Sequence, residues 1–334
     1  MICMAGKNQR LRVLNLLQIL HHQTDEMHPL SAQELIEQLA KQDITCDRKT
    51  IYEDIEALCL CGYDVLHTNT PRRGYYLASR DFELPEVALL TDAVLSADFI
   101  TRKKTSQLTQ KLEGLLNRYQ AEAYRHRGFI DNRNKGDNEE IYYTIDALER
   151  AIQEKKKVEF SYLRHTLTEG RKPTLESKQR VVSPYALIWA DDHYYLICNY
   201  EKYNNLIHLR LDRMKGVSIL AEPYRHFSEV SDYQTDFNVA DYVGKVFHMF
   251  SGAEEEIVLD CSNDILEQVI DRFSDQIFIR ESGEGRFVFH CRACVSDGLV
   301  SWIMQFGEQM RVERPAALQE RLVTAAKEIL ANYS

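Results

Sequence analysis

Long apolar runs and an export signal are missing from this sequence, and cysteines are few. No stretch approaches the roughly 18 consecutive apolar residues that a membrane-spanning helix needs. The first seven residues lack the basic region and long apolar run of a secretory signal. The 8 cysteines are too sparse for a disulfide scaffold, so we expect reduced thiols. These absences predict a cytoplasmic protein that has no membrane partner.

Glycine and proline are also scarce, at 14 and 7 of the 334 residues. Such low contents exclude a fibrous or low-complexity chain. The hydrophobic fraction of 44% and the charged fraction of 28% are ordinary for a soluble globular protein. At roughly 150 residues per domain, the length predicts two or three domains.

The net charge of −10 would seem to disfavour a nucleic-acid partner. Phosphate binding, however, depends on local charge. Residues 101–136 contain 9 basic and 3 acidic side chains, whereas residues 251–334 contain 8 basic and 15 acidic ones. The charge is therefore segregated along the chain, and its overall sign does not exclude nucleic acid.

The motifs of several large enzyme classes are absent. The sequence has no Walker or Rossmann glycine pattern, no G-x-S-x-G and no H-E-x-x-H. We therefore predict a protein that is not an enzyme and that has neither a cofactor nor a metal. The C-x-x-C at Cys291–Cys294 lacks the second pair that structural zinc would need. A metal-dependent enzyme using His and Cys side chains is the alternative that metal analysis would test.

Residues 1–80 predict three short helices and a hairpin. Ser31–Glu34 is a capping box at the start of the second helix, and Asp47 is an N-cap for the third. Turn-forming residues 68–74 then separate two aromatic or branched runs. This order of elements is typical of a winged helix.

A winged helix places the first turn of its third helix against the base edges of the DNA major groove. Basic side chains occupy that turn and the tip of the hairpin. The candidate DNA-binding residues are Arg48, Lys49, Thr50, Tyr52, Arg72 and Arg73. Taken singly, these charges fit an ordinary solvated surface. Together with the element order, they predict contact with double-stranded DNA.

The remaining residues divide into four regions. Residues 81–156 predict a helical linker region, residues 157–221 a small SH3/Sm-like β-barrel of five strands, and residues 222–252 a connector. Residues 253–334 predict the order β-α-β-β-α-β-α, close to a ferredoxin-like sandwich. The fold class is therefore multidomain α+β, with a winged helix-turn-helix, a helical linker, a barrel and a C-terminal sandwich.

Three groups of motifs resemble one known family, the bacterial WYL-domain transcriptional regulators. The first group is similar to their DeoR-like helix-turn-helix, the second to the WYL signature with its closing R-L-D-R-I segment, and the third to their C-terminal extension domain. The helix-turn-helix group is Asp47–Leu58 with Gly74–Leu77. The WYL group is Ser183–Leu187, Tyr194–Leu196 and His208–Met214, and the extension group is the region from about residue 253. The sequence departs from the pattern at Tyr194, where the name-giving tryptophan would stand. It departs again at Ile207, where family members often carry an arginine.

The resemblance implies that the barrel senses a nucleotide or nucleic-acid ligand. It assigns pocket positions to Ser183, Tyr185, His208 and Arg210, to which we add Tyr162 at the end of the first strand. A guanidinium fork, hydroxyl donors and aromatic rings suit a phosphodiester and its base. The alternative is that the tyrosines form the barrel core and that Arg210 pairs with an acid such as Asp212.

These expectations combine into one function. We predict a ligand-responsive DNA-binding transcriptional regulator, acting as a homodimer through its C-terminal domain. The alternative is a nucleic-acid-binding accessory protein that modulates a defence enzyme. An accessory protein of that kind would prefer single strands over a duplex with two half-sites.

Overall fold

The computed structural model describes residues 2–125, 135, 138–167, 173–273 and 277–333. Its contacts divide the chain into two units, Met1–Asp137 and Asn138–Ser334. None of the described helices combines the length and apolar character that crossing a membrane requires.

The first unit consists of six helices and one antiparallel hairpin among its described residues. In chain order these are α1 (Ile2–Gln23), α2 (Ala32–Ala40), α3 (Arg48–Leu60), β1 (Val65–Thr68), β2 (Gly74–Leu77), α4 (Leu84–Ser96), α5 (Arg102–Glu113) and α6 (Arg118–Arg125).

The predicted capping signals define the starts of α2 and α3. Ser31 and Glu34 form both hydrogen bonds of the capping box. Asp47 caps α3, since its side chain accepts a hydrogen bond from the Thr50 amide at 2.8 Å. Apolar faces of α1, α2 and α3 then form one core with the hairpin, because each helix has apolar residues at helical spacing. The largest buried members are Leu16, Ile19, Leu20, Leu35, Leu39 and Ile51.

The hairpin is joined to the segment before α2 by a backbone bridge. The Leu30 amide donates to the Tyr75 carbonyl at 2.9 Å, and the Tyr75 amide donates to the Leu30 carbonyl at 2.7 Å. Gly74 allows this approach, because a Cβ there would lie 2.7 Å from the Leu30 carbonyl carbon. The bridge fixes the hairpin beside the N-terminus of α2.

The basic middle region is only partly described. Its members on α5 and at the start of α6 lie in the structure, whereas Arg127 and Arg133 lie outside the described residues. Lys135 is described, and its ammonium donates to the Val94 and Ala97 carbonyls at the end of α4, at 3.1 and 2.8 Å. At least one lysine of the region is therefore engaged within its own unit.

The second unit begins with α7 (Ile141–Gln153) and a five-stranded antiparallel sheet. Its strands are β3 (Lys156–Leu167), β4 (Pro173–Ala190), β5 (His193–Asn199), β6 (Ile207–Arg210) and β7 (Met214–Pro223), in the spatial order β6-β5-β4-β3-β7. The long β4 pairs with β3 through its first half and with β5 through its second. In the described pairings β6 and β7 are the two edges, joined by a short 3-10 turn at Leu211–Arg213.

A connector helix and a second sheet complete this unit. They comprise α8 (Val239–Lys245), β8 (Ala253–Ser262), α9 (Leu266–Phe273), β9 (Ile279–Gly283), β10 (Arg286–Val295), α10 (Asp297–Met304), β11 (Met310–Arg314) and α11 (Ala316–Ala331). The sheet is antiparallel with the order β11-β8-β10-β9. Its core includes Phe247, Phe289, Trp302 and Leu318.

The mixed α+β class is confirmed by these elements. The winged-helix, SH3-like and ferredoxin-like interpretations remain predictions. The division between the units at residue 137 lies inside the region 81–156 that we predict as a helical linker. Helix α7 therefore belongs to the second unit, where it packs against β3, β4 and β7. Its buried residues include Leu148 and Ala151.

Candidate nucleic-acid and ligand sites

A groove of about 250 Å³ lies in the first unit where α2, α3 and the hairpin meet. We call it the helix–hairpin groove. The N-terminal turn of α2, the exposed side of α3 and both strands of the hairpin contribute to it. It is lined by Ser31, Ala32, Gln33, Arg48, Tyr52, His67, Arg73, Gly74 and Tyr75.

The first turn of α3 contributes only some of its predicted DNA-binding residues to this groove. Arg48 and Tyr52 line it, one turn apart on the same helical face. Lys49 is exposed outside the groove and lies 3.7 Å from the Glu53 carboxylate. The Thr50 hydroxyl donates to the Asp47 carboxylate at 2.7 Å, so the Thr50 side chain is part of the N-cap of α3.

The two hairpin arginines also have different surroundings. Arg73 lines the groove, whereas the Arg72 guanidinium donates to the Glu34 carboxylate at 2.9 Å. That ion pair ties the hairpin to the capping box of α2. Sequence reasoning missed His67, which packs edge-on against Tyr75 with ring centroids 4.9 Å apart. Alternation along β1 is the signal that would have placed His67 on the side of Tyr75.

The groove has the electrostatic character of a phosphate site. Its lining includes Arg48 and Arg73 but no aspartate or glutamate. The first-turn amides of a helix have no intrahelical acceptors, and the partial positive charge of that end favours anions. This end of α2 presents Ala32 and Gln33 to the groove, while its Glu34 carboxylate is held by the Ser31 amide and by Arg72 outside the groove lining.

The predicted ligand residues of the second unit have partners within the chain. The Ser183 hydroxyl accepts a hydrogen bond from the Arg225 amide at 2.9 Å, and the Tyr185 hydroxyl donates to the Arg225 carbonyl at 2.8 Å. Ser183 and Tyr185 are both buried. Burial raises the pKa of Tyr185 well above its usual value, so its phenol stays protonated. Both side chains therefore hold the backbone that follows β7.

His208 bridges β6 and the connector. Its Nδ1 lies 2.6 Å from the Met249 carbonyl and its Nε2 lies 2.9 Å from the Tyr242 hydroxyl. Because a carbonyl only accepts, Nδ1 carries the proton, and Nε2 accepts from Tyr242. Burial lowers the pKa of His208 to about 4, although the Met249 carbonyl opposes that shift. His208 is therefore neutral near pH 7.

Arg210 follows the alternative that the sequence left open. Its guanidinium forms two hydrogen bonds with the Asp212 carboxylate, at 3.0 and 2.6 Å. Its backbone amide donates to the Tyr162 hydroxyl at 3.2 Å. Arg210 thus has an acidic partner in the chain, and the charge that it offers to a ligand is partly neutralised.

A cluster that the sequence analysis did not select surrounds Tyr162. Arg180 lies opposite Phe160 in the β3–β4 register, so both side chains are on the face of the sheet that also carries Tyr162. The Arg180 guanidinium lies 5.5 Å from the centre of the Tyr200 ring. Its Nε is buried and has no hydrogen-bond partner within the part of the chain that the structure describes.

The pKa values of Tyr162 and Tyr200 are shifted by burial and by nearby cations. Burial raises the pKa of Tyr162, and the Arg210 amide and the Arg213 guanidinium oppose this shift. Burial also raises the pKa of Tyr200, and Arg180 opposes it. We call Tyr162, Arg180, Tyr200 and Arg213 the tyrosine–arginine cluster. It combines two guanidinium groups and two phenols, and the buried Arg180 Nε has no acceptor among the described residues.

Among the described residues, no group of three or more His, Cys, Asp or Glu side chains has the arrangement of a metal site. Cys294 is buried and Cys291 is partly buried. Burial raises the pKa of Cys291 to about 12 and that of Cys294 to about 11, so neither thiol is a ready thiolate ligand.

Two family models match the second unit. A WYL domain is matched at residues 143–219 and a WCX domain at residues 253–330. The second unit therefore contains a WYL domain followed by a WCX domain. All four residues of the tyrosine–arginine cluster lie in the WYL domain, and the WCX domain contains the sheet from β8 to β11 together with α11.

No curated protein matches the chain. Among solved structures, proteasome accessory factor B/C (PafBC) of Arthrobacter aurescens is similar to it at 15% identity and a TM-score of 0.29. The match covers 97% of this chain and 49% of that chain, so this protein spans about half the length of that structure.

Proposed function

We propose that this WYL-domain protein is a DNA-binding transcriptional regulator. The observation that carries the proposal is the helix–hairpin groove, where Arg48 and Arg73 meet the N-terminus of α2 without a lining carboxylate. Phosphate contacts of this kind position a reading helix, and an exposed arginine on that helix reads base edges. The matched WYL domain supports the same function.

Selection from genomic DNA fragments by the full chain tests the proposal. The wild type should enrich a duplex site with two half-sites. Arg48→Ala should weaken binding to that site by about tenfold or more, as expected for loss of a base or phosphate contact of 1–3 kcal/mol. Lys41→Ala is the matched control, because Lys41 is exposed at the opposite end of α2 from the groove.

Two outcomes would contradict the proposal that the protein is a DNA-binding regulator. Equal recovery of fragments by the wild type and Arg48→Ala would show that the groove does not read DNA. A preference for single strands without sequence dependence would favour the accessory protein.

We further propose that the WYL domain senses an anionic nucleotide or single-stranded nucleic acid at the tyrosine–arginine cluster. Arg180 supplies a buried donor for which the described residues provide no acceptor, and Tyr200 supplies a ring for stacking. This proposal keeps Tyr162 from the sequence prediction. It gives Ser183, Tyr185 and His208 a positioning role, because each already has partners in the chain.

Fluorescence anisotropy with a labelled five-residue oligothymidine tests the ligand site. Arg180→Gln should weaken binding by about tenfold, the loss expected for a charge-assisted hydrogen bond. Arg164→Gln is the control, because Arg164 is an exposed arginine on β3. Equal binding by the wild type and Arg180→Gln would contradict the cluster as the site.

We also propose that the protein is a homodimer that pairs through α11 of the WCX domain. Val323 is 52% exposed, and the exposed Glu320 and Lys327 lie one turn before and after it on the same face. In an antiparallel pair with its two-fold axis between Val323 and Thr324, Glu320 of each copy faces Lys327 of the other. The face is thus complementary to itself, as a two-fold interface requires.

A further inference from the structure

A second cavity lies in the unit that contains the WYL and WCX domains, where three segments converge. Its volume is about 430 Å³, within the range of small-molecule sites. The turn between β5 and β6, the connector and the start of β8 with the end of β10 each provide part of its wall. It is lined by Asn204, Asn205, Leu206, Val230, Ser231, Asp232, Tyr233, Tyr242, Ser251, Gly252, Ala253, Glu254 and Cys294.

The cavity has an apolar base and a polar rim. Leu206, Val230, Tyr242 and Cys294 are all buried, so the deep part is lined by aliphatic, aromatic and thiol groups. Asp232 is exposed at the rim. This arrangement suits a ligand that has one apolar end and one polar end.

Charge determines what the polar end must be. The lining contains two acidic residues and no lysine, arginine or histidine. Glu254 is already neutralised, because its carboxylate lies 3.0 Å from the Lys245 ammonium and 2.8 Å from Arg292. Asp232 forms no ion pair with the described residues. The rim therefore keeps one uncompensated negative charge, which attracts a cation and repels an anion.

We propose that this cavity binds a small organic cation, an aromatic or apolar ring that carries an ammonium group. The ring occupies the apolar base beside Tyr242, and the ammonium lies at the rim against Asp232. The ligand class is opposite in charge to the one proposed for the tyrosine–arginine cluster, and this proposal does not depend on DNA binding. It also connects to the WYL domain, because the Tyr242 hydroxyl donates a hydrogen bond to Nε2 of His208 on β6.

Titration calorimetry of the full chain tests the proposal with two probes of one ring system. Tryptamine carries an ammonium and indole-3-acetate carries a carboxylate. Tryptamine should bind, and indole-3-acetate should bind at least about tenfold more weakly, because its charge is repelled by Asp232. No detectable binding of tryptamine at millimolar concentration, or equal binding of both probes, would overturn the proposal.

Three variants locate the binding. Asp232→Asn should weaken tryptamine binding by about tenfold, and Ala253→Trp should abolish it by filling the cavity. Asp236→Asn should leave it unchanged, because Asp236 is an exposed connector carboxylate that does not line the cavity. Thermal unfolding of each variant shows that it is folded. Tryptamine binding that survives both Asp232→Asn and Ala253→Trp would place the site elsewhere and defeat the proposal.

Discussion

At the scale of single residues, burial determines the protonation state of His208, one of the predicted ligand residues. The neutral ring satisfies two partners, the Met249 carbonyl and the Tyr242 hydroxyl. Its pKa is about 4 in the folded protein against 6.5 for an ordinary histidine. Between these values the unfolded chain binds a proton that the folded chain does not.

Stability should therefore depend on pH through His208. Its contribution is fully present above about pH 6.5 and is lost progressively as the pH falls toward 4. Between pH 7 and pH 5 we expect the free energy of unfolding of the second unit to fall by about 2 kcal/mol from this group. Urea unfolding at the two pH values measures the loss.

The matched variant is His208→Gln, whose amide can donate to Met249 and accept from Tyr242 without titrating. Other groups titrate alike in both proteins, so the stability difference between them should shrink by about 2 kcal/mol from pH 7 to pH 5. A difference that is constant over this range would show that His208 does not keep a depressed pKa.

At the scale of elements, α10 packs against the turn that positions Met249. A Cβ on Gly298, in the first turn of α10, would lie 2.1 Å from the Phe247 carbonyl oxygen. We expect Gly298→Ala to cost about 1–3 kcal/mol, the range for overpacking, although alanine is the better helix former. Gly244→Ala in α8 is the control, because its Cβ would meet nothing within 4 Å.

Chemical denaturation of the second unit compares the two variants. Gly244→Ala should be neutral or gain up to about 1 kcal/mol. The same result for Gly298→Ala would mean that the Phe247–Phe250 turn moves freely away from α10, which would contradict the close packing.

Elements set by local chemistry were predictable, whereas those set by distant partners were not. The capping box at Ser31 and the N-cap at Asp47 need only neighbouring residues, and both form as predicted. The barrel was predicted over residues 157–221, and within it β4 begins as early as Pro173. Residues 173–179 are mostly polar and show no apolar alternation. They become a strand because β3 offers them a hydrogen-bonding edge.

The candidate sites divide in the same way. Exposure of Arg48 and Tyr52 follows from the period of α3, so the sequence selected them. The Arg72–Glu34 ion pair joins residues 38 positions apart. The contact of Arg180 with Tyr200 joins β4 to the residue that follows β5. Neither has a local signal, which is why the sequence did not reveal the Glu34 partner of Arg72 and overlooked Arg180.

At the scale of the whole molecule, the proposed dimer makes a prediction that depends on charge alone. Glu320→Lys should place lysine against Lys327 of the other copy and weaken the dimer, and Lys327→Glu should do the same with two glutamates. The double variant Glu320→Lys/Lys327→Glu restores opposite charges and should restore the dimer. Light scattering coupled to gel filtration gives the mass of each. A double variant no more dimeric than the single ones would exclude the antiparallel α11 pair.

A two-fold dimer also fixes how its DNA sites must be spaced. Two reading helices related by a dyad contact half-sites on one face of the duplex, about 10 base pairs apart or a multiple of that spacing. Inserting 5 base pairs between the half-sites rotates one of them to the opposite face, so we expect affinity to fall by about tenfold or more. Inserting 10 base pairs returns it to the same face and should recover part of the loss. Gel-shift titration of the three duplexes measures this phase dependence. Affinity that is indifferent to spacing would mean that each half-site is bound by an independent chain, because only a rigidly paired protein senses the helical phase of its DNA.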